Sequence, residues 1–274
     1  MSSEWTRYYR KPEWNDLCVL HARFREHRFA RHAHDFFVVG YVESGLQAYA
    51  YRGARHLTGA GQVFLVNPGE VHTGEAADLN GYVYRTLYPR PELLERVVED
   101  LTGRPGLPFL KGAVVEDQVL SRLLRAFHRA LSGRGSTLAL ETLLVAALAR
   151  LIELHADRPF PRRTIGRERI VVRRVREFIN TAFAGGLALS KLASIAGLSP
   201  FHLARVFEKE VGIPPHIYLE RVRIENARRL LDSGKAIAEV ALAVGYADQS
   251  HLTHRFKKLL GITPGQYLRA GRAA

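Results

Sequence analysis

The chain has 274 residues, 47% of them hydrophobic, a single cysteine (Cys18) and a formal net charge of +13. That length allows a sizeable core and favours two domains of about 100 to 150 residues each, while one cysteine excludes an internal disulfide and suits a reducing cytoplasm. The opening residues carry no apolar stretch of signal-peptide length, and the longest apolar runs, 36–42 and 143–149, fall far short of the roughly 18 residues a spanning helix needs, so no membrane partner is expected.

From residue 31 to about 88 the chain reads as short strands separated by turn signals: Val42-Glu-Ser-Gly45, Tyr51-Arg-Gly53, Thr58-Gly-Ala-Gly61, Asn67-Pro-Gly69 and Asn80-Gly81. This spacing predicts a barrel or sandwich, with the barrel over about 17–90. Between 92 and 156 the period becomes helical. Leu120, Leu123, Leu124, Phe127 and Leu131 form one stripe, and Leu140, Leu143, Leu144, Ala147, Leu148 and Leu151 another, joined through Gly133 to Gly135 as a helical hairpin. Residues 157–167, with two prolines and no apolar period, read as a linker. Domain one is therefore 1–156, with its helices over about 91–156, and domain two is 168–274.

The second domain opens with a predicted helix over about 168–183 and then contains an internal repeat. Leu189-Ser-Lys-Leu-Ala193 through Gly197 to Phe207, ending Gly212-Ile-Pro-Pro215, parallels Ile237-Ala-Glu-Val-Ala241 through Gly245 to Phe256, ending Gly261-Ile-Thr-Pro264. The offset is 48 residues before the turn and 49 after it. Each copy has a short apolar helix, a glycine able to take left-handed backbone, a capping residue (Ser199 or Asp248) and a second helix. Ala193 and Ala241 stand where the two helices would cross. These are two helix-turn-helix units, over about 189–211 and 237–260, with 200–211 and 249–260 as recognition helices. Helical spacing points Leu203, Val206 and Phe207 inward in the first unit and Leu252, Phe256 and Leu259 inward in the second. It leaves Phe201, His202, Arg205 and Lys209, and then Gln249, Ser250, His251, His254 and Lys257, as the DNA-binding candidates.

Arg and Gln near the start of such a helix reach base edges, whereas Lys more often meets phosphate. A single helix over about 215–233 would hold the two units apart by about one DNA turn. Charge agrees with a polyanion partner: residues 1–155 hold 19 Lys+Arg against 17 Asp+Glu, a net of +2, while 156–274 hold 21 against 10, a net of +11.

Residues 168–272 resemble the DNA-binding domain of the AraC/XylS regulators. The resemblance rests on Leu203-Ala-Arg-Val-Phe207, Gly212-Ile-Pro-Pro215, Arg223-Ile-Glu-Asn-Ala227, Val244-Gly-Tyr-Ala-Asp-Gln-Ser250 and Phe256-Lys-Lys-Leu-Leu-Gly-Ile-Thr-Pro264. It implies that Phe201, Arg205, Gln249, Ser250 and His251 lie at base or groove contacts. One departure is His254, where the family usually has Arg, with Arg255 beside it.

His32-Ala-His34, the strand over 36–42 and Gly61 through Asn67-Pro-Gly69-Glu-Val-His72 resemble the cupin-like sensor domain of the same family. Metal-binding cupins add an acid shortly after His-x-His; here Phe37 and Val38 occupy that stretch and the next acid is Glu43. We therefore expect no metal and no cofactor, with the histidines lining a ligand cavity. His34, Tyr41, His72, Tyr82, Tyr84 and Arg85 are the effector-binding candidates, and Tyr with Arg would suit a carboxylate or another polar metabolite.

The expected fold class is thus α+β: an N-terminal cupin-like β-barrel with a helical hairpin, then an all-α domain with two helix-turn-helix motifs. The expected function is a cytoplasmic, effector-controlled transcriptional regulator, not an enzyme, acting as an activator or a repressor. Its expected partners are double-stranded DNA, a small-molecule effector and a second copy in a homodimer, with RNA polymerase as a further candidate. The alternatives are a metal-dependent cupin enzyme with an accessory DNA-binding domain, and a DNA-binding protein whose barrel serves only assembly.

Overall fold

A computed structural model describes residues 4–133, 135–160 and 169–272. The described chain forms two compact units, one of Met1–His128 with Leu143–Arg163 and the other of Arg129–Thr142 with Thr164–Ala274.

The first unit is built on nine strands: β1 (Trp5–Lys11), β2 (Leu17–Phe24), β3 (Phe29–His32), β4 (Val38–Tyr51), β5 (Ala54–Gly59), β6 (Val63–Val66), β7 (His72–Ala76), β8 (Tyr82–Tyr88) and β9 (Val114–Val115). All named pairings are antiparallel, and β4 is their hub. Its first half pairs with β6 and β8, its second half with β5 and β7. The switch between these two layers falls at a register shift between Val42 and Ser44, followed by Gly45 at φ 80°. A Cβ on Gly45 would lie 2.0 Å from the Gly81 carbonyl oxygen, so only glycine lets the two chains approach there. The turn expected at 42–45 is thus a bulge inside one long strand. The turn at Arg52 and Gly53 is a two-residue hairpin with both residues at positive φ, which matches the strand twist.

β1 lies outside the barrel limits expected from sequence. Its pattern of charged residues and partly covered aromatics suits an edge strand on β2, with no strict apolar alternation to announce it. The barrel interior is a cluster of Phe24, Val38, Val42, Tyr49, Tyr51, Phe64, Val66, Tyr82 and Tyr84. Three helices follow, α1 (Pro91–Thr102), α2 (Gln118–Ser132) and α3 (Thr137–His155). Asp117 caps α2 by accepting the Val119 and Leu120 N–H groups, and also pairs with Arg150 and His155. Of the linker expected over 157–167, residues 161–167 lie outside the described residues, as does Glu168.

The second unit continues with α4 (Arg169–Ala182), α5 (Leu189–Ala196), α6 (Pro200–Val211), α7 (Pro215–Asp232), α8 (Ile237–Ala243), α9 (Gln249–Leu260) and α10 (Pro264–Arg272). Phe207 of the first helix-turn-helix meets Tyr218 of α7 edge to face at 5.6 Å between centroids. Ile224, Ala227, Leu231, Val240, Leu252 and Phe256 form the core of the second. At 1.5 Å per residue, the 18 residues of α7 give a rod of about 27 Å that packs on α4, α6, α8, α9 and α10. No described helix is long and apolar enough to cross a membrane.

Candidate functional site

The two helix-turn-helix units share their turn chemistry as well as their sequence. In the first, Gly197 at φ 64° ends α5, and the Leu198 N–H donates back to the Ala193 carbonyl at 3.1 Å. In the second, Gly245 at φ 84° follows α8, and the Tyr246 N–H donates to the Ala241 carbonyl at 2.9 Å. This is the back-bonded helix end that a left-handed glycine permits. Ser199 then accepts the His202 N–H at 3.2 Å and Asp248 the His251 N–H at 2.8 Å, starting α6 and α9 at equivalent places. Ala193 and Ala241 are buried at the helix crossings.

Arg223, buried on α7, donates to the carbonyls of Phe183 at 2.7 Å and Gly185 at 2.9 Å, and its guanidinium lies 5.6 Å from the centroid of Tyr246. One cation therefore pins the α4–α5 connection to the turn of the second unit.

On α6, Lys209 is exposed and His202 and Arg205 are half-buried; on α9, Gln249, Ser250, His254 and Lys257 are exposed and His251 is half-buried against Tyr246 at 4.9 Å. Two face assignments need correction. Phe201 is buried rather than outward, because it stands one turn before Ala204 at the edge of the arc that Leu203, Ala204 and Phe207 put inward. Leu259 is 40% exposed rather than part of the core, since Leu252 and Phe256 already fill the inward face of α9. Arg255 does not stand in for the arginine that His254 replaces. Its guanidinium is turned back to Glu220 on α7 at 2.8 Å.

In the barrel, His34, His72 and Tyr84 share the wall of one cavity with His32, Gln47, Tyr49, Phe64 and Tyr88. Its volume is about 60 Å³, room for several water-sized groups rather than a large metabolite. Burial holds the His34 imidazole down to about 4, with the neighbouring His72 adding to the effect, and burial also lowers His72. Burial pushes the Tyr49, Tyr84 and Tyr88 phenols upward. The wall is thus electrically neutral near pH 7 at each of these groups.

Tyr41 and Arg85 are elsewhere. They are cross-strand partners on β4 and β8, facing away from the cavity. Arg85 donates to Glu43 at 2.9 Å, Glu43 lies 3.3 Å from His21, and Tyr41 sits beneath Arg125 and beside His128. Successive residues of a strand point to opposite faces, so Tyr84 and Arg85 could not both enter one cavity. Tyr82 shares the face of Tyr84, stacking on it at 5.2 Å, but is buried in the aromatic core rather than on the cavity wall. With Arg85 outside, the cation that made a carboxylate attractive is absent from the wall. Of the wall residues missed, Gln47 and Tyr49 were legible as Gln47-Ala-Tyr49-Ala-Tyr51, an alternation that puts all three on one face.

The family pattern described as AraC-like ligand binding domain matches residues 15–148, and that described as helix-turn-helix domain matches residues 192–270. The chain is 32% identical over 225 residues to the HTH-type transcriptional regulator YbfI of Bacillus subtilis (strain 168), covering 82% of each chain. It is 24% identical over 264 residues to the HTH-type transcriptional activator RhaS of Klebsiella pneumoniae (strain 342), covering 93% of each. Among solved structures it is similar to the C-terminal domain of AraT, a response regulator from Geobacillus stearothermophilus, at 36% identity and a TM-score of 0.36, covering 38% of this chain and 88% of that one.

Proposed function

The chain belongs to the AraC family of transcriptional regulators, a ligand-binding domain joined to a helix-turn-helix DNA-binding domain, and from that premise we propose which residues carry each half of its work. α6 reads one stretch of an operator in double-stranded DNA through Arg205, with His202 and Lys209 beside it. α9 reads a second stretch through Gln249, Ser250 and His251, with His254 and Lys257 toward the phosphates. Phe201 is left out of this set because it is buried.

The observation that carries the reading is the equivalence of the two turns. The same back-bonded glycine and the same side-chain cap start both recognition helices, so His202 and His251, and likewise Arg205 and His254, occupy matching positions on two similar frames.

The effector is a small molecule held in the barrel cavity by His34, His72 and Tyr84 with Gln47 and Tyr88. The protein acts in the cytoplasm as a homodimer, which doubles the half-sites contacted, and regulates transcription with RNA polymerase as a partner rather than catalysing a reaction. Selection of bound duplexes from random DNA tests the first part. A single recurring motif, bound with an affinity that falls steeply with salt, is the expected result. Sequence-indifferent, salt-tolerant binding contradicts it. Thermal-shift screening of small metabolites against the full chain tests the second: a cavity binder raises the unfolding midpoint, and a barrel used only for assembly gives no hit.

A further inference from the structure

Glu220 on α7 and Arg255 on α9 tie the spacer helix to the second recognition helix. Arg255 Nη1 lies 2.8 Å from Glu220 Oε1, and the two side chains keep only 19% and 15% of their surface exposed. An ion pair so far withdrawn from water adds little net stability, yet leaving either charge alone is costly, so what it contributes is the geometry it enforces. The arginine of this region is also displaced by one residue from the position that His254 occupies. A one-residue step turns a side chain by about 100° around a helix. It takes the charge from the exposed face, where His254 stands, to the flank that faces α7.

The pair acts where α9 is weakly constrained. Of the residues of α9, only Leu252 and Phe256 are buried. They lie one turn apart on a single stripe, which holds the helix against its core without fixing its rotation about that stripe. Arg255 follows His251 by four residues and stands one turn further along the same flank. His251 itself rests on Tyr246 at 4.9 Å between centroids, and Tyr246 in turn meets the Arg223 guanidinium at 5.6 Å. Arg223 follows Glu220 by three residues on α7. The spacer helix therefore reaches one flank of α9 twice, through Arg223 and Tyr246 near its first turn and through Glu220 one turn later. Two contacts spaced along a flank determine a rotation that one contact leaves free.

We propose that Glu220 and Arg255 are positioning residues for operator recognition: their ion pair sets the rotation of α9 about its own axis, and with it the base edges that Gln249, Ser250 and His251 reach. This rests on the reading of α9 as the second recognition helix. At the roughly 5 to 6 Å radius of a helix with its side chains, a roll of about 20° moves a side-chain tip by about 2 Å, more than a hydrogen bond to a base edge tolerates. Base selection by the second unit is thus set partly from α7, by residues turned away from the DNA.

The test uses the full-length chain and the operator selected from random duplexes, with the relative affinity for each base pair measured position by position. The variants are Glu220→Gln, Arg255→Gln and the reversed pair Glu220→Arg with Arg255→Glu, with circular dichroism showing that each stays folded. A ratio of affinities between base pairs is the readout, because a general loss of charge or stability leaves such ratios unchanged. Each single variant should relax preference at least fivefold in the part of the operator that Gln249→Ala identifies as read by α9, and leave the remainder as selective as before. The reversed pair should recover that preference, and it also carries the test should a single variant unfold. Uniform weakening by Arg255→Gln with no effect of Glu220→Gln overturns the inference and makes Arg255 a phosphate contact. Preference that Gln249→Ala relaxes but both pair variants retain overturns it too, while α9 keeps its role. If Gln249→Ala also leaves every ratio unchanged, the reading of α9 falls with it.

Discussion

At the two recognition-helix starts a single side-chain oxygen decides whether an N–H is satisfied. Asp248 accepts the His251 N–H at 2.8 Å, and Asp248→Ala should destabilise the chain by about 1 kcal/mol. Gly245 is a harder constraint. Its φ is 84° and an added Cβ would lie 2.4 Å from the Ala184 carbonyl oxygen, so Gly245→Ala should cost about 2 kcal/mol or more, as strain and backbone displacement combine. Urea denaturation of both variants gives the order, and a smaller loss for Gly245→Ala contradicts the close approach. Buried histidines add a pH dependence. Burial holds His21, His34 and His216 down to about 4 and His128 to about 3, and lowers His72 as well. In the unfolded chain they titrate near 6.5, so below that pH the unfolded state binds more protons. The stability these groups contribute is therefore complete above about pH 6.5 and is lost progressively toward pH 4. The thermal midpoint should fall steadily over that range, less steeply in His128→Gln, and a flat profile contradicts the assignment. Both capping residues and both turn glycines were legible in the sequence, because caps and left-handed glycines are local chemistry. The burial of Phe201 was not, since it depends on what covers the first turn of α6.

The recognition helices Pro200–Val211 and Gln249–Leu260 begin and end where the repeat placed them, and α7 spans the segment expected to separate them. The strands were less legible. β1 has no apolar alternation because it lies at an edge, and the bulge within β4 imitates a turn because glycine serves both. On β8 the expected pair mixed two parities, so Tyr84 enters the cavity while Arg85 pairs with Glu43 on the other face. Residue type suggests chemistry, and strand register decides where it is delivered. The helix faces yield a prediction that separates their roles. Arg205→Ala should cost about 1 to 3 kcal/mol on the preferred operator and relax selection at one base step. Lys257→Ala should weaken all sequences alike and lower the salt slope by about 1. Anisotropy titrations on an operator series distinguish them, and a uniform loss for Arg205→Ala removes it from the base-reading set.

Over the whole molecule, charge separates two kinds of work. The excess of 11 positive charges in residues 156–274 is matched by only 2 in residues 1–155, so the counterion-driven affinity for DNA belongs to one part of the chain and effector recognition to the other. This division was legible because net charge and repeats are summed over many residues, whereas the cavity wall depends on partners distant in sequence, such as His32 with His72. A regulator of this family couples the two parts, and coupling has a fixed thermodynamic form. An effector shifts operator binding only by the difference between its affinities for the DNA-competent and incompetent states. Typical couplings of about 1 to 3 kcal/mol would change operator affinity roughly 5- to 150-fold, and the operator must change effector affinity by the same factor. The two measurements are independent: anisotropy of labelled operator with and without saturating effector, and calorimetry of effector with and without saturating operator. Equal factors are expected for a barrel whose ligand controls the helix-turn-helix units. A factor of one in both directions would leave a cavity that binds without regulating, and His34→Ala should then leave operator affinity unchanged whether or not the effector is present.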